Sequence, residues 1–440
     1  MQSIPLQSIP LHMNKDIIKT IITDRQRDIP GITLQRRNTP FGPETNYVLV
    51  GLRRAGKSYM LYQDIQQRIE EGRSKPQDIL FVNFEDERLT GMRGTELNII
   101  MEAYYELYGT CTKPVVYLDE IQNVEGWHTF ARRLADEGYR LMITGSNAKM
   151  LSREVASTLG GRFIPREINP FSFREYVEYS GITIPQNWQY DSNTRAQLAQ
   201  AFEHYITYGG IAETFRQPDK REYLNALYQK ILVGDIIERN NIRNPRIFRL
   251  LARRIADSVM QPTSLSRLQH IIKSTGDSIS LPVLKDYLEY MNEAYLTFDI
   301  PNMASAPTER ETLKKRYFTD NGILNLFLYQ GETKLLENIV ATHLNNSLRT
   351  QDNTYRLLYY NKNIEVDFCV PEQQTAIQVT HALDDPATAD RETSALEKFI
   401  KAFPNYHPLI ITRHTDTTIQ RNNITINVTP AWKWLMESEE

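Results

Sequence analysis

The sequence predicts an α/β chain led by a parallel, doubly wound sheet, and two observations predict it. Strand-like apolar runs alternate with helix-patterned segments through the first third, and such βα alternation buries strands on both faces and orders them in parallel. The first of these runs, Tyr47-Val48-Leu49-Val50, leads directly into Gly51-Leu52-Arg53-Arg54-Ala55-Gly56-Lys57-Ser58, and Tyr59-Met60-Leu61-Tyr62 opens a helix behind it. Strand, glycine-rich loop and helix is the setting in which this octapeptide, a P-loop, cradles phosphate.

The strands expected in order are Tyr47 to Val50, Ile79 to Phe84, Val115 to Asp119, Arg140 to Thr144 and Phe163 to Ile168. Trp127, Phe130 and Leu134 show the helical spacing between two of them. Ligands of such sheets lie at the carboxyl ends of strands, where Gly51, Asp119 and Thr144 fall. Nucleotide contacts are therefore expected from Gly51, Arg54, Ala55, Gly56, Lys57, Ser58 and Tyr59. Backbone N–H groups would close around the β-phosphate of ATP, Lys57 would reach the β- and γ-phosphates, and the Ser58 hydroxyl is placed for Mg²⁺.

The run Pro114-Val115-Val116-Tyr117-Leu118-Asp119-Glu120 ends in two carboxylates. The first acid of such a pair holds Mg²⁺, usually through water, and the second, Glu120, is the expected general base for the attacking water. The plainer alternative is a strand ending in solvated acids, with Glu85 as the next candidate base. Beyond Thr144 the chain reads Gly145-Ser146-Asn147; Asn147, with Ser146 as its alternative, fits a γ-phosphate sensor or a simple turn residue.

From Pro170-Phe171-Ser172-Phe173 the pattern becomes helical, with few strand signals until about Tyr317. Thr263 to Phe298 reads as helix, turn, helix: Leu265, Leu268 and Ile272 share a stripe, Ser274 to Asp277 turns, and Ser280 caps a helix that turns Leu284, Tyr287, Leu288 and Met291 inward. The segment resembles a winged-helix module. Its second helix, read as Leu281 to Phe298, sets Asp286, Glu289 and Glu293 against Lys285, which favours a structural or protein-contact role over reading DNA in a groove. Just upstream, Arg239, Arg243, Arg246, Arg249, Arg253 and Arg254 could grip phosphates, reach a neighbouring subunit's nucleotide, or form a solvated face.

Strands return in the last third. A helix is expected from Leu335, paired strands at Tyr355 to Tyr360 and Glu365 to Val370, and a third at Ala376 to Thr380. A helix glutamate, a strand aspartate and an acid-x-lysine on the next strand are how PD-(D/E)XK nucleases assemble a metal site. Glu337 and Asp367 fit the first two positions; the third reads Gln378-Val379-Thr380, lacking both the acid and the water-activating lysine. Lys362 is near enough in sequence to be a substitute.

Taken in order, the P-loop, Asn83-Phe84-Glu85-Asp86, Tyr117-Leu118-Asp119-Glu120-Ile121-Gln122, Thr144-Gly145-Ser146-Asn147, Gly160-Gly161-Arg162, Pro170-Phe171-Ser172-Phe173 and Tyr208-Gly209-Gly210-Ile211 resemble prokaryotic AAA-family ATPases with a C-terminal domain of unknown function. The resemblance implies an AAA-like ATPase core, a winged helix and a restriction-endonuclease-like α/β domain of PD-(D/E)XK type. It also implies that one strand separates that of Asp119 from that of the loop, that Glu120 is the catalytic base, and that Arg162 is a charge-stabilising arginine at the γ-phosphate, unless it merely caps the Gly-Gly turn. The division expected is a leader and N-terminal helix (1–30), the P-loop core (31–169), a helical lid-like region (170–235), a winged-helix-like domain (236–316) and a PD-(D/E)XK-like domain (317–440).

Composition bounds the rest. With 41% hydrophobic and 24% charged residues the chain is ordinary globular protein, and a net charge of −3 gives no global pull toward nucleic acid or anionic membrane. Cys111 and Cys369 lack metal-ligand spacing and suit a reducing cytoplasm. No apolar run is long enough to span a bilayer. The repeated Gln-Ser-Ile-Pro-Leu at residues 2 to 11 reads as a flexible leader with no signal-peptide core, and Met13 is a candidate start. Three functions follow as expectations: a Mg²⁺-dependent ATPase that drives or switches its attached domains, an ATP-gated nuclease, and a nucleotide-dependent partner-binding module. The partners expected are ATP, a second copy in a homo-oligomer and, on the arginine stripe alone, nucleic acid; no membrane is expected.

Overall fold

The computed structural model describes residues 14–146, 158–310, 312–329, 331–348 and 356–438. The leader and Asn147 lie outside them. The chain divides into two compact units, the first made of residues 1–51 and 56–168, the second of residues 52–55 and 169–440.

In the first unit, helix α1 (Lys15–Asp28) starts where the Asn14 side chain accepts from Asp16 N–H, and it buries Ile18, Ile21 and Ile22. Then follow β1 (Asn46–Val50), α2 (Lys57–Glu70), β2 (Ile79–Asn83), α3 (Asn98–Tyr108), β3 (Val115–Asp119), α4 (Trp127–Asp136), β4 (Leu141–Thr144) and β5 (Phe163–Glu167). The sheet has order β2-β3-β4-β1-β5 with every pairing parallel. One strand, β4, does separate β3 from the loop strand β1. Helix α2, which carries Lys57 and Ser58, is fixed to the sheet by a buried ionic network. Asp64 accepts two hydrogen bonds from Arg140 at 2.8 and 3.1 Å, one from the Tyr117 hydroxyl at 2.5 Å, and one from Arg68 at 3.3 Å. A charge cluster this deep is held by its completeness, since removing one partner strands the others in low dielectric.

The second unit begins with α5 (Phe173–Tyr179), whose start is a capping box in which Ser172 and Glu175 satisfy each other's backbone N–H. Helices α6 (Ser192–Tyr208) and α7 (Lys220–Lys230) follow, and α7 runs on into a π-helical stretch, Ile231–Glu238. Next come α8 (Pro245–Asp257), β6 (Thr263–Ser264), α9 (Leu265–Ser274), α10 (Leu281–Glu293), β7 (Thr297–Pro301) and β8 (Leu313–Phe318), with an antiparallel sheet of order β6-β8-β7. Finally α11 (Glu332–Leu348), β9 (Leu358–Asn361), β10 (Glu365–Val370), β11 (Thr375–Val379), α12 (Pro386–Ala402), β12 (His407–Thr412), β13 (Thr417–Arg421), β14 (Ile424–Pro430) and α13 (Ala431–Glu437) build a six-stranded mixed sheet of order β13-β14-β12-β11-β10-β9.

Two expectations are corrected here. The helix read from Leu281 to Phe298 stops at Glu293, because Tyr295 turns the chain at φ +56° and Thr297–Pro301 pairs with β8. Strands thus appear before Tyr317, and the division expected at residue 316 falls inside β8. The Gly209-Gly210 pair also finds its reason. A Cβ on Gly209 would sit 2.2 Å from Asp320 Oδ2, and Gly210 N–H donates to that oxygen at 2.8 Å.

Candidate functional site

Within the first unit the residues expected to bind phosphate and metal gather at the carboxyl ends of β1, β3 and β4. Gly51 takes φ +141°, and a Cβ there would meet the Ile168 carbonyl at 2.2 Å, so only glycine lets the chain leave β1 in this direction. Gly56, at φ +98°, precedes the first turn of α2, where unpaired N–H groups and the helix dipole favour an anion. Lys57 is 4% exposed; its ammonium donates to Gly51 O at 3.2 Å and lies 3.9 Å from Glu120 Oε1.

The two acids are held by different hydroxyls. Asp119 Oδ1 accepts from Thr144 Oγ1 at 2.6 Å and from Ser58 Oγ at 3.1 Å. Its other oxygen, Oδ2, is buried without a hydrogen-bond partner among the described residues. Burial pushes the Asp119 carboxyl up to about 6, opposed by the Thr144 hydrogen bond, reinforced by the Glu120 charge, and opposed again by Ser58 and Lys57. Glu120 sits in the left-handed region at φ 52°, ψ 41°, a conformation that costs a non-glycine residue about 1 kcal/mol or more and persists where surroundings enforce it. Its N–H donates to Thr144 Oγ1 at 2.9 Å, and its carboxylate accepts from Ser146 Oγ at 2.9 and 3.1 Å and from Gln122.

Ser146, the alternative sensor, is thus engaged with Glu120. Thr144 was legible only as a strand end, yet it links both acids; a hydroxyl one strand away leaves no spacing signal in the sequence. Glu85 lies exposed in the turn after β2. Tyr59 is 47% exposed and packs edge-on against Tyr62. Arg162 is not brought to the loop of its own chain. It precedes β5, whose Phe163 pairs with Asn46 at the start of β1, roughly five residues or 15 Å from the loop. There it pairs with Asp136 and donates to Gly160 O at 3.3 Å, so within this chain it has the turn-capping role.

In the second unit, Arg53 and Arg54 meet acids. Arg53 forms a two-point pair with buried Asp235, at 2.8 and 3.1 Å, and Arg54, expected at the nucleotide, pairs with Glu213 at 2.9 Å. The C-terminal acids do converge, with a lysine the sequence reading missed. Lys315 of β8, fully buried, reaches Asp367 at 3.0 Å, Glu365 at 3.1 Å and Glu337 at 3.4 Å. Lys362, the substitute considered, is exposed. Gln378 donates to Glu392 at 2.7 Å and accepts from Asp367 N–H at 2.8 Å.

Comparison with known proteins agrees with this layout. Residues 44–177 match an AAA domain, and residues 199–334 match a domain of unknown function, DUF8612. The uncharacterized protein MJ1544 of Methanocaldococcus jannaschii is 32% identical over 406 residues, 89% of this chain and 88% of that one. An uncharacterized protein of Haemophilus influenzae is 27% identical over 286 residues, 63% and 67% of the two chains. Among solved structures, a Walker-type ATPase of Pyrococcus abyssi aligns at 14% identity and a TM-score of 0.41, covering 72% of this chain and 95% of that one. With identity to MJ1544 running over most of both sequences, the chain belongs to the family of that archaeal protein and carries an AAA domain followed by a domain of unknown function.

Proposed function

We propose that this protein binds and hydrolyses ATP with Mg²⁺, and that hydrolysis drives or switches its C-terminal domains. The observation that carries the reading is the division of labour at the end of β3. Asp119 keeps one buried oxygen open beside the Ser58 hydroxyl, the hard-oxygen set that suits Mg²⁺, while Glu120 is held apart by Ser146 and Gln122. Bound Mg²⁺ would neutralise developing charge on the phosphate oxygens. Lys57 would exchange the Gly51 carbonyl for the β- and γ-phosphates. Glu120 would accept the proton of the attacking water, and Ser146 and Gln122 keep its carboxylate oriented for that.

Arg53 and Arg54 support the switch. Asp235, the partner of Arg53, sits in a π-helical stretch, a feature frequent at functional sites. The succession α8, β6, α9, α10, β7, β8 with β8 central supports a winged-helix reading, and the approach of Glu337, Asp367 and Gln378 supports a PD-(D/E)XK-like one. Arg243, Arg249 and Arg253 are exposed and make nucleic acid a candidate partner; a homo-oligomer would give Arg162 a neighbour's phosphate to stabilise. Free thiols at Cys111 and Cys369 suit a cytoplasmic setting, and no helix among the described residues is long and apolar enough to cross a membrane.

The test is Glu120→Gln assayed for ATP binding and turnover. Binding should persist while hydrolysis falls by about 10² to 10⁴, the usual worth of a positioned base. Unchanged turnover would overturn the assignment.

A further inference from the structure

We infer that Lys315 is a resident cation in the C-terminal acid cluster, occupying the place a divalent metal would take and making the cluster metal-free. The cluster draws on three strands or helices: Lys315 from β8, Glu337 from α11, and Glu365 and Asp367 from β10. An ammonium has three N–H donors and no more. Here three carboxylates stand within 3.0 to 3.4 Å of it: it donates to Asp367 at 3.0 Å and to Glu337 at 3.4 Å and forms an ion pair with Glu365 at 3.1 Å, so the ammonium is ringed by acids. Two further bonds hold the acids: Tyr317 donates to Glu337 Oε1 at 2.6 Å, and Val379 N–H donates to Asp367 Oδ2 at 2.9 Å, while Glu337 Oε2 is buried without a hydrogen-bond partner among the described residues.

The electrostatics agree with the geometry. Burial alone would push the Lys315 ammonium down, but Glu337, Tyr317, Asp367 and Glu365 outweigh it and hold the lysine well above its ordinary range, so it stays charged, while burial and the Asp367 charge push the Glu337 carboxyl up to about 8 against the pull of Lys315 and Tyr317. A divalent ion entering here would have to displace a buried ammonium from three ionic contacts. The inference rests on contacts within the second unit and stands whether or not the first unit hydrolyses ATP.

The experiment titrates Mn²⁺ into nucleotide-free, full-length protein by calorimetry and by the loss of free-Mn²⁺ electron paramagnetic resonance, for wild type, Asp367→Asn and Lys315→Met. Wild type and Asp367→Asn should give the same isotherm, showing no site that depends on Asp367. Lys315→Met, which keeps side-chain length and drops the charge, should gain one site. Its Mn²⁺ affinity should rise about ten-fold or more over wild type, a floor for losing a unit charge at contact distance. Mn²⁺ should also raise its melting temperature. A wild-type site lost in Asp367→Asn overturns the inference, as does a folded Lys315→Met that gains none. If Lys315→Met does not fold, the wild-type and Asp367→Asn comparison decides alone. Wild-type cleavage of single- or double-stranded DNA with Mn²⁺ that disappears in Asp367→Asn would likewise overturn it.

Discussion

Thr144→Val tests the site at the hydroxyl that joins its two acids. Valine keeps the shape of threonine, so the fully buried position stays packed and only the hydroxyl is lost. Two bonds go with it. Asp119 loses a charge-assisted donor at 2.6 Å, worth about 1.5 to 3 kcal/mol, and the Glu120 N–H loses its acceptor, which costs about 1 to 3 kcal/mol when left unpaired. The fold should therefore weaken by about 3 kcal/mol or more, read from the urea midpoint at unchanged m-value. The same loss acts on the Asp119 charge. At about 1.4 kcal/mol per pH unit, its carboxyl should climb from about 6 to roughly 7 or 8.

The sign follows from the role of the group. Mg²⁺ needs the carboxylate, which is protonated below its pKa, so activity falls as pH drops through that value. The acid limb of kcat/KM for Mg²⁺·ATP reports the free enzyme. It should lie near 6 in wild type and about one unit or more higher in Thr144→Val. An unmoved acid limb, or a stability loss below about 1 kcal/mol, would refute the reasoning.

Asp64→Ala should destabilise the first unit by about 3 to 5 kcal/mol, because it leaves Arg140 and Arg68 buried and uncompensated; urea unfolding measures it, and a loss within error would mean that water replaces the carboxylate. Gly209→Ala sets a methyl against Asp320 at a backbone φ of +75°, so its melting temperature should drop by several degrees, with about 1 to 3 kcal/mol from the backbone alone. Arg162→Ala in dilute protein should leave ATP affinity and turnover unchanged, because the side chain faces Asp136; a loss of turnover appearing only at high protein concentration would show that it serves a second copy.

The elements whose signal is local are legible in the residues alone. The parallel strands lie where apolar runs end in glycine or in acid, the Ser280 cap and the inward face of α10 follow helical spacing, and Lys57, Ser58, Asp119 and Glu120 come together because strand ends of a parallel sheet share one edge. What crosses from strand to strand is set by packing between elements. Thr144 reaches Asp119 from β4, Ser146 reaches Glu120, and Asp235 captures Arg53, each through a contact that no sequence spacing encodes. The start of the short strand β7, Thr297-Phe298, falls inside the helix expected from Leu281 to Phe298, because five residues carry too little periodicity to resist the pattern before them. Lys315 shows the limit most sharply. In sequence it is one lysine in a Lys-Lys-Arg run, the pattern of a solvated face, and pairing of β8 with β7 turns it inward, where burial and three carboxylates make it the resident cation of a site twenty and more residues away.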